Sequence, residues 1–201
     1  MITIEGVDGA GKSTLAGTLR VALSDQGIDV EQLREPGGVE ASERVRALVK
    51  DPALAIGPRT EALLYAAARA QLVEQALVPA LAAGRWVLLD RFVDSSLAYQ
   101  GAGRGLGIAE IRELNLFATG GLEPDRTLLL DLPGAAARLR AGGRSGAPDR
   151  LEREDDEFFA KIAAAYATLA AAEPGRIRVL DATRPPGEVL AQALEALADL
   201  I

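Results

Sequence analysis

The chain has 201 residues, enough for one domain with a sizeable core, and it contains no histidine and no cysteine. Those absences exclude Ser-His-Asp and Cys-His nucleophiles, imidazole or thiolate metal sites, and any disulfide. A formal net charge of −7 argues against a nucleic-acid backbone as partner, because proteins that displace counterions from phosphates are usually basic. No signal peptide is expected, since the chain opens on a strand and a charged loop instead of a basic stretch before an apolar one. No apolar run reaches the roughly 18 residues of a membrane span. The alanine-rich stretches 62–83 and 160–172 are interrupted by Arg, Gln, Glu or Lys and read as packed helices. No internal repeat recurs at a fixed period. A cytoplasmic location, with neither membrane nor nucleic acid as partner, is the expectation.

The first element, Met1-Ile2-Thr3-Ile4-Glu5, is an apolar run of strand length. It leads directly into Gly6-Val7-Asp8-Gly9-Ala10-Gly11-Lys12-Ser13, which matches G-x-x-x-x-G-K-[ST] and opens a helical stretch at 12–25. That motif needs a strand before it and a helix after it. Its glycines let the backbone wrap a polyphosphate with N–H groups facing the oxygens, and the helix N-terminus favours negative charge. Lys12 then reaches the β- and γ-phosphates and the Ser13 hydroxyl binds Mg²⁺. ATP binding is expected along Gly6, Val7, Asp8, Gly9, Ala10, Gly11, Lys12, Ser13 and Thr14. Only three of the 22 basic residues are lysines (Lys12, Lys50 and Lys161), and one of them stands in this motif.

Further strands are expected at 28–34, Trp86–Asp90, Arg126–Asp131 and Ile177–Asp181, with helices at about 40–50, 59–83, 108–118, 134–141, 153–172 and 186–200. This alternation is the signature of a parallel sheet. The fold class is therefore α/β: a P-loop NTPase with a five-stranded parallel sheet flanked by helices, forming a single domain over 1–201. Most strands end in charged residues (Glu5, Arg34-Glu35, Asp90-Arg91, Asp131, Asp181), at the end of the sheet where ligands bind in doubly wound folds. Taken singly, each is equally well explained as strand-end punctuation. Two stretches read as loops. The segment 100–105 is glycine-rich and follows the Asp90-Arg91 strand end. The segment 141–149 is flanked by Arg138, Arg140, Arg150 and Arg153, and a mobile, arginine-bearing lid over about 138–153 is expected from it. The plain alternative is a surface loop with incidental arginines.

Asn-Lys-x-Asp, which guanine-nucleotide switches use to read their base, is missing: the only asparagine, Asn115, precedes Leu116. What remains is a small phosphotransferase or a nucleotide-dependent regulatory module. The decisive segments are Arg34-Glu35-Pro36-Gly37-Gly38, Tyr65-Ala66-Ala67-Ala68-Arg69, Asp90-Arg91-Phe92, Asp94-Ser95-Ser96-Leu97-Ala98-Tyr99-Gln100-Gly101, Asp149-Arg150-Leu151-Glu152 and Asp181-Ala182-Thr183. In this order and spacing, over essentially the whole chain, they resemble the thymidylate kinases, which phosphorylate dTMP to dTDP on the way to dTTP.

The resemblance implies an acceptor site of Glu35, Arg46, Tyr65, Arg69, Arg91, Ser96, Tyr99 and Gln100. In the family an aromatic at the position of Tyr65 stacks on thymine, and the arginine one helical turn on, here Arg69, bonds a base carbonyl; Tyr65 departs mildly from the usual phenylalanine. Tyr99 matches an aromatic that packs against the sugar at C2′. Arg91 suits bidentate grip on the acceptor phosphate, with Arg46 in support. Asp90 is favoured over Asp131 as the carboxylate that orders Mg²⁺-bound water. Asp8 would meet that water or the sugar hydroxyl, and Lys12, Asp8, Arg91 and Arg150 form the expected catalytic set.

With an acid in the P-loop, the resemblance is to a bacterial variant whose lid arginines clamp the transferring phosphate, Arg150 first and Arg144 and Arg140 next. The donor adenine is expected beside Thr183, with Arg138 on its other face and Arg144 toward the phosphates. The family also implies Mg²⁺ with ATP and a homodimer. A kinase for another pyrimidine monophosphate and an ATP-driven regulatory module are the competing readings.

Overall fold

A computed structural model of the chain describes residues 1–142 and 149–201, with the side chains of 138, 141 and 142 also left aside. The order is β1 (Ile2–Glu5), α1 (Lys12–Asp25), β2 (Val30–Arg34), α2 (Glu40–Lys50), α3 (Pro58–Leu72) and α4 (Val78–Ala82), followed by β3 (Trp86–Asp90) and α5 (Val93–Ser96). Then come α6 (Ile108–Thr119), β4 (Arg126–Asp131), α7 (Gly134–Gly142), α8 (Asp156–Ala172), β5 (Ile177–Asp181) and α9 (Pro186–Ala196). The five strands form one all-parallel sheet in the order β2-β3-β1-β4-β5. Ile4 pairs in register with Asp90 on one side and Leu128 on the other, and Asp90 also pairs Arg34, so β1, β2 and β3 end within one residue of one another.

Parallel strands covered on both faces bury every side chain in turn, and alternate residues serve opposite cores. Leu128 and Leu130 pack with Leu15, Leu19 and Leu23 of α1 and with Ala193 of α9. Leu129 points the other way, to Ile162, Tyr166 and Leu169 of α8. Val87 and Leu89 join Leu72, Val73 and Leu77 in a third cluster beneath α3.

Three element ends differ from the sequence expectation by two residues or more. β2 starts at Val30, because the Ile28 N–H is spent on the Leu23 carbonyl at 3.2 Å, closing α1. α8 starts at Asp156, because the Asp155 carboxylate caps it by accepting from the Phe158 N–H at 2.9 Å. α9 stops at Ala196, short of residue 200. The expected helix 59–83 is α3 and α4 joined by a π-helical turn at Val73–Leu77, next to Pro79, which has no N–H to give to the preceding turn.

The larger correction concerns 100–105, expected as a loop. α5 runs on as a π-helical segment, Leu97–Gly103, so most of this stretch is helical. A Cβ on Gly103 would lie 2.7 Å from the Phe158 ring and 3.2 Å from the Ile162 side chain. Glycine serves here to press the segment against α8, and packing overrides the coil preference that composition suggests.

Candidate active site

The loop after β1 folds back over the sheet at Gly6, whose φ is 134° and where a Cβ would lie 2.7 Å from the Leu130 carbonyl oxygen. Only glycine lets the loop lie this close. Between this loop and the ends of β2 and β3 opens a cavity of about 650 Å³. Its walls bring together Asp8, Gly9, Ala10, Gly11, Lys12, Ser13 and Thr14 with Glu35, Arg46, Tyr65, Arg69, Asp90, Arg91, Ser96, Tyr99 and Gln100. Six separate segments supply these residues, all of them expected at the site from the sequence, to one surface.

Lys12 is 7% exposed, and its ammonium donates to the carbonyls of Gly6 at 3.1 Å and Val7 at 3.0 Å. Burial, then repulsion from Arg91, lowers its pKa to about 8. Ser13 Oγ donates to Asp90 Oδ2 at 2.8 Å, which places a hydroxyl and a carboxylate oxygen side by side at the head of α1. Asp131, the rival carboxylate, does not line this cavity; it borders a separate groove with Gly6 and Val7.

Arg91 is the centre of a second cluster. It is the only non-glycine among the described residues with positive φ, at 73°, and its N–H is tied to the Ile4 carbonyl at 3.0 Å. Such a backbone is costly for a branched-out side chain and persists where the surroundings hold it. The guanidinium donates to Asp8 at 2.7 Å, Tyr99 Oη at 3.2 Å, Ser95 Oγ at 3.0 Å and the Gly6 carbonyl at 3.1 Å. It also lies 5.0 Å over the Tyr99 ring. Burial alone would raise the Asp8 pKa, but Arg91 and then Lys12 overcome it and hold the carboxyl well below its ordinary range. Tyr99 Oη donates to Asp8 at 3.2 Å, and its ring packs edge-on against Phe158, so it serves core and cavity together.

The third cluster is at the far wall. Arg69 is 2% exposed and spends all five N–H groups inside the protein. Nε and Nη2 donate to Glu35 Oε2 at 2.8 and 2.5 Å, Nη2 to the Phe92 carbonyl at 2.9 Å, and Nη1 to Ser96 Oγ at 2.8 Å and to Asn115 Oδ1. A base carbonyl would therefore have to share one of these protons. Glu35 Oε1 is buried with no partner, and burial raises the Glu35 pKa against the pull of Arg69. Arg46 donates to the Pro36 carbonyl at 2.9 Å.

Other predicted residues fall elsewhere. Arg150 is absent from the cavity walls: it donates to Glu61 Oε2 at 2.6 Å and to the Val49 carbonyl at 3.0 Å, because a buried carboxylate offers it a partner. Thr183 is turned to Asp181, which accepts from its N–H at 2.9 Å, while its neighbours Ala182 and Arg184 line the cavity in its place. Arg140 does line the cavity, donating to the Ala182 carbonyl at 2.9 Å. Arg144 and the side chain of Arg138 lie outside the described residues.

Sequence reasoning has Glu5 only as one of the strand-end charges and misses Tyr166, which meets it under the P-loop. Glu5 is fully buried and accepts from the Phe92 N–H at 2.7 Å, Ser95 Oγ at 2.6 Å and Tyr166 Oη at 2.9 Å. Burial and then the charge of Asp94 raise its pKa to about 7. It also missed Lys50, which lines the cavity and pairs with Asp149 at 2.7 Å; the rarity of lysine in this chain was the available signal.

The profile of one family, thymidylate kinase, matches residues 4–193. A thymidylate kinase of Rhizorhabdus wittichii is 48% identical over 203 residues, spanning 100% of this chain and 97% of that one. A thymidylate kinase of Deinococcus radiodurans is 50% identical over 198 residues, spanning 98% and 96%. The crystal structure of thymidylate kinase from Ehrlichia chaffeensis superposes with a TM-score of 0.81 at 29% identity, covering 98% of this chain and 97% of that one.

Proposed function

Because the chain belongs to the thymidylate kinase family, which phosphorylates dTMP to dTDP, we propose that its P-loop cavity binds ATP and dTMP end to end and transfers the γ-phosphoryl in line. The observation that carries this reading is the meeting, in one cavity, of the P-loop from Asp8 to Thr14 with Arg91, Tyr65 and Tyr99. ATP lies along Gly6–Thr14 by way of backbone N–H groups, with its adenine toward Ala182, Thr183 and Arg184 and the face of Arg138. dTMP lies along Glu35, Arg46, Tyr65, Arg69, Ser96, Tyr99 and Gln100.

The acceptor needs no base, since a monophosphate oxygen is largely ionised at neutral pH. Lys12 and Arg91 bring positive charge to the oxygens between which the phosphoryl moves, where preorganised charge contributes most. Asp8 and Tyr99 fix the Arg91 fork in place. The Ser13–Asp90 pair fits Mg²⁺, a hard cation that takes oxygen ligands and keeps several waters: Ser13 would hold it and Asp90 its water. When bound, Mg²⁺ neutralises charge on the β- and γ-phosphates.

The lid over about 138–153 belongs to the same proposal. Arg140 already borders the cavity, and Arg144 completes the clamp of the arginine-lid subtype, whereas Arg150 stays with Glu61. A homodimer is proposed through α3 and α6, where Leu63, Leu116 and Phe117 are 58%, 52% and 89% exposed. No helix among the described residues is long and apolar enough to cross a membrane. A cytoplasmic location is proposed on family grounds alone. A coupled assay of ADP release across nucleoside monophosphates tests the reading. Turnover driven by dTMP is expected; ATP hydrolysis indifferent to every monophosphate would favour a regulatory module instead.

A further inference from the structure

Gln100 is 2% exposed and lines the cavity, and its side-chain Nε2 donates to Glu61 Oε1 at 2.8 Å. Glu61, in the first turn of α3, is fully buried. Arg104 approaches it with Nε at 3.2 Å from each oxygen and Nη2 at 3.0 Å from Oε2, and Arg150 Nη2 comes within 2.6 Å of Oε2. Arg104 is itself pinned by Glu154 at 2.6 Å and lies 4.7 Å over the Phe158 ring. Surrounded by two guanidiniums, Glu61 acts as an acceptor only. An amide that faces an acceptor must turn its NH₂ toward it. The carbonyl Oε1 of Gln100, to which no described residue donates, is then the acceptor left for whatever occupies the cavity.

We propose that Glu61 is a positioning residue for base specificity: it fixes the polarity of the Gln100 amide, so that the cavity offers the acceptor base a carbonyl oxygen and selects pyrimidines that carry an N3–H. This rests on the reading that Gln100 lies beside the acceptor base. Thymine and uracil present an N–H donor at N3, whereas cytosine presents a lone pair there, which would meet oxygen against lone pair. Arg69, which the resemblance has bonding a base carbonyl, has every N–H already engaged within the protein. The task of excluding cytosine therefore passes to an amide whose orientation is set from outside the cavity by a buried charge.

The test compares kcat/KM for dTMP, dUMP and dCMP in the wild-type chain, Glu61→Gln and Gln100→Leu, with melting temperatures alongside. Glutamine at 61 offers either an oxygen or an NH₂, so Gln100 can turn over. The dTMP-to-dCMP ratio is expected to fall by about tenfold, the worth of roughly one hydrogen bond, while the dTMP-to-dUMP ratio stays constant. General damage to the fold would lower all three rates alike. A dTMP-to-dCMP ratio that collapses in Gln100→Leu but holds in Glu61→Gln would overturn the positioning role and leave the base contact standing. A ratio unmoved in Gln100→Leu would overturn the base contact itself. Should Glu61→Gln fail to fold, the wild-type protein still decides: one Gln100 Nε2 proton is expected to exchange slowly by ¹⁵N-edited NMR, and two freely exchanging protons would refute the lock.

Discussion

Glu5→Gln should abolish a pH dependence of stability that the wild-type chain carries across the neutral range. In the fold this carboxyl is fully buried and titrates near 7, whereas its ordinary value is 4.5. A folded pKa above the unfolded one means that stability is complete below about pH 4.5, falls as pH rises, and has lost its full share above about 7. At 1.36 kcal/mol per unit, a difference of this size costs the folded state about 3 kcal/mol. The window is clean of the neighbouring charges. Asp8, with its pKa depressed, contributes stability that is lost only as pH falls below its ordinary 3.8. Lys12, lowered from 10.5 to about 8, makes stability rise with pH only above that value.

A glutamine at position 5 can keep the Phe92 N–H on its carbonyl and donate to the Ser95 or Tyr166 hydroxyl, and it does not titrate. Urea unfolding of both proteins at about pH 5 and about pH 7.5, at one protein concentration, measures the difference. The wild-type free energy should fall relative to the mutant by about 2.5 kcal/mol between the two conditions, since part of the loss is already in place at about pH 5. Parallel pH dependence in the two proteins would refute the assignment of the titration to Glu5.

Lys12→Ala should lower kcat by at least about 10²-fold with the circular dichroism spectrum retained, and near-normal turnover would remove Lys12 from the reaction. Arg140→Ala should reduce kcat by about tenfold or more with little change in melting temperature, whereas Arg150→Ala should chiefly lower the melting temperature, because Glu61 loses a buried donor. A loss of about 10³ in kcat for Arg150→Ala at unchanged stability would instead return that residue to the transferring phosphate. If the proposed homodimer forms through α6, Phe117→Asp should shift it to monomer in sedimentation velocity, since it places charge on the most exposed apolar side chain of α6; a dimer left unchanged would move the interface to another face, and a monomeric wild-type chain would refute the proposal.

What the sequence shows and hides divides along the range of the interactions. The P-loop is local: a strand, a glycine turn and a lysine lie within thirteen residues, and each glycine's purpose follows from the turn it must make. The acceptor wall is legible for a topological reason, because Glu35, Asp90-Arg91 and their neighbours follow strands that a parallel sheet brings to one edge. Pairings between distant segments left no such trace. Glu5 meets Tyr166 from 161 positions away, and in sequence it is one more acid at a strand end. Glu61 reads as a favourable charge in the first turn of a helix, although the fold buries it completely.

Arginine shows most clearly why composition misleads at such sites. Arg91, Arg104 and Arg150 are alike as residue types, and two of them sit in glycine-rich or lid segments where phosphate binding is the natural expectation. The partner decides their work. Arg104 and Arg150 converge on Glu61, whose buried charge would be left unpaired without them, so both are held to the scaffold. Arg91 is paired as well, but with Asp8 on the cavity wall, and its backbone is forced to positive φ to bring the fork there. A backbone cost of that kind is not needed for a structural ion pair, which any rotamer of a long side chain could reach. It fits a guanidinium that must stand at one point in space, and it separates the arginine we propose for the acceptor phosphate from Arg104 and Arg150 where residue type and charge do not.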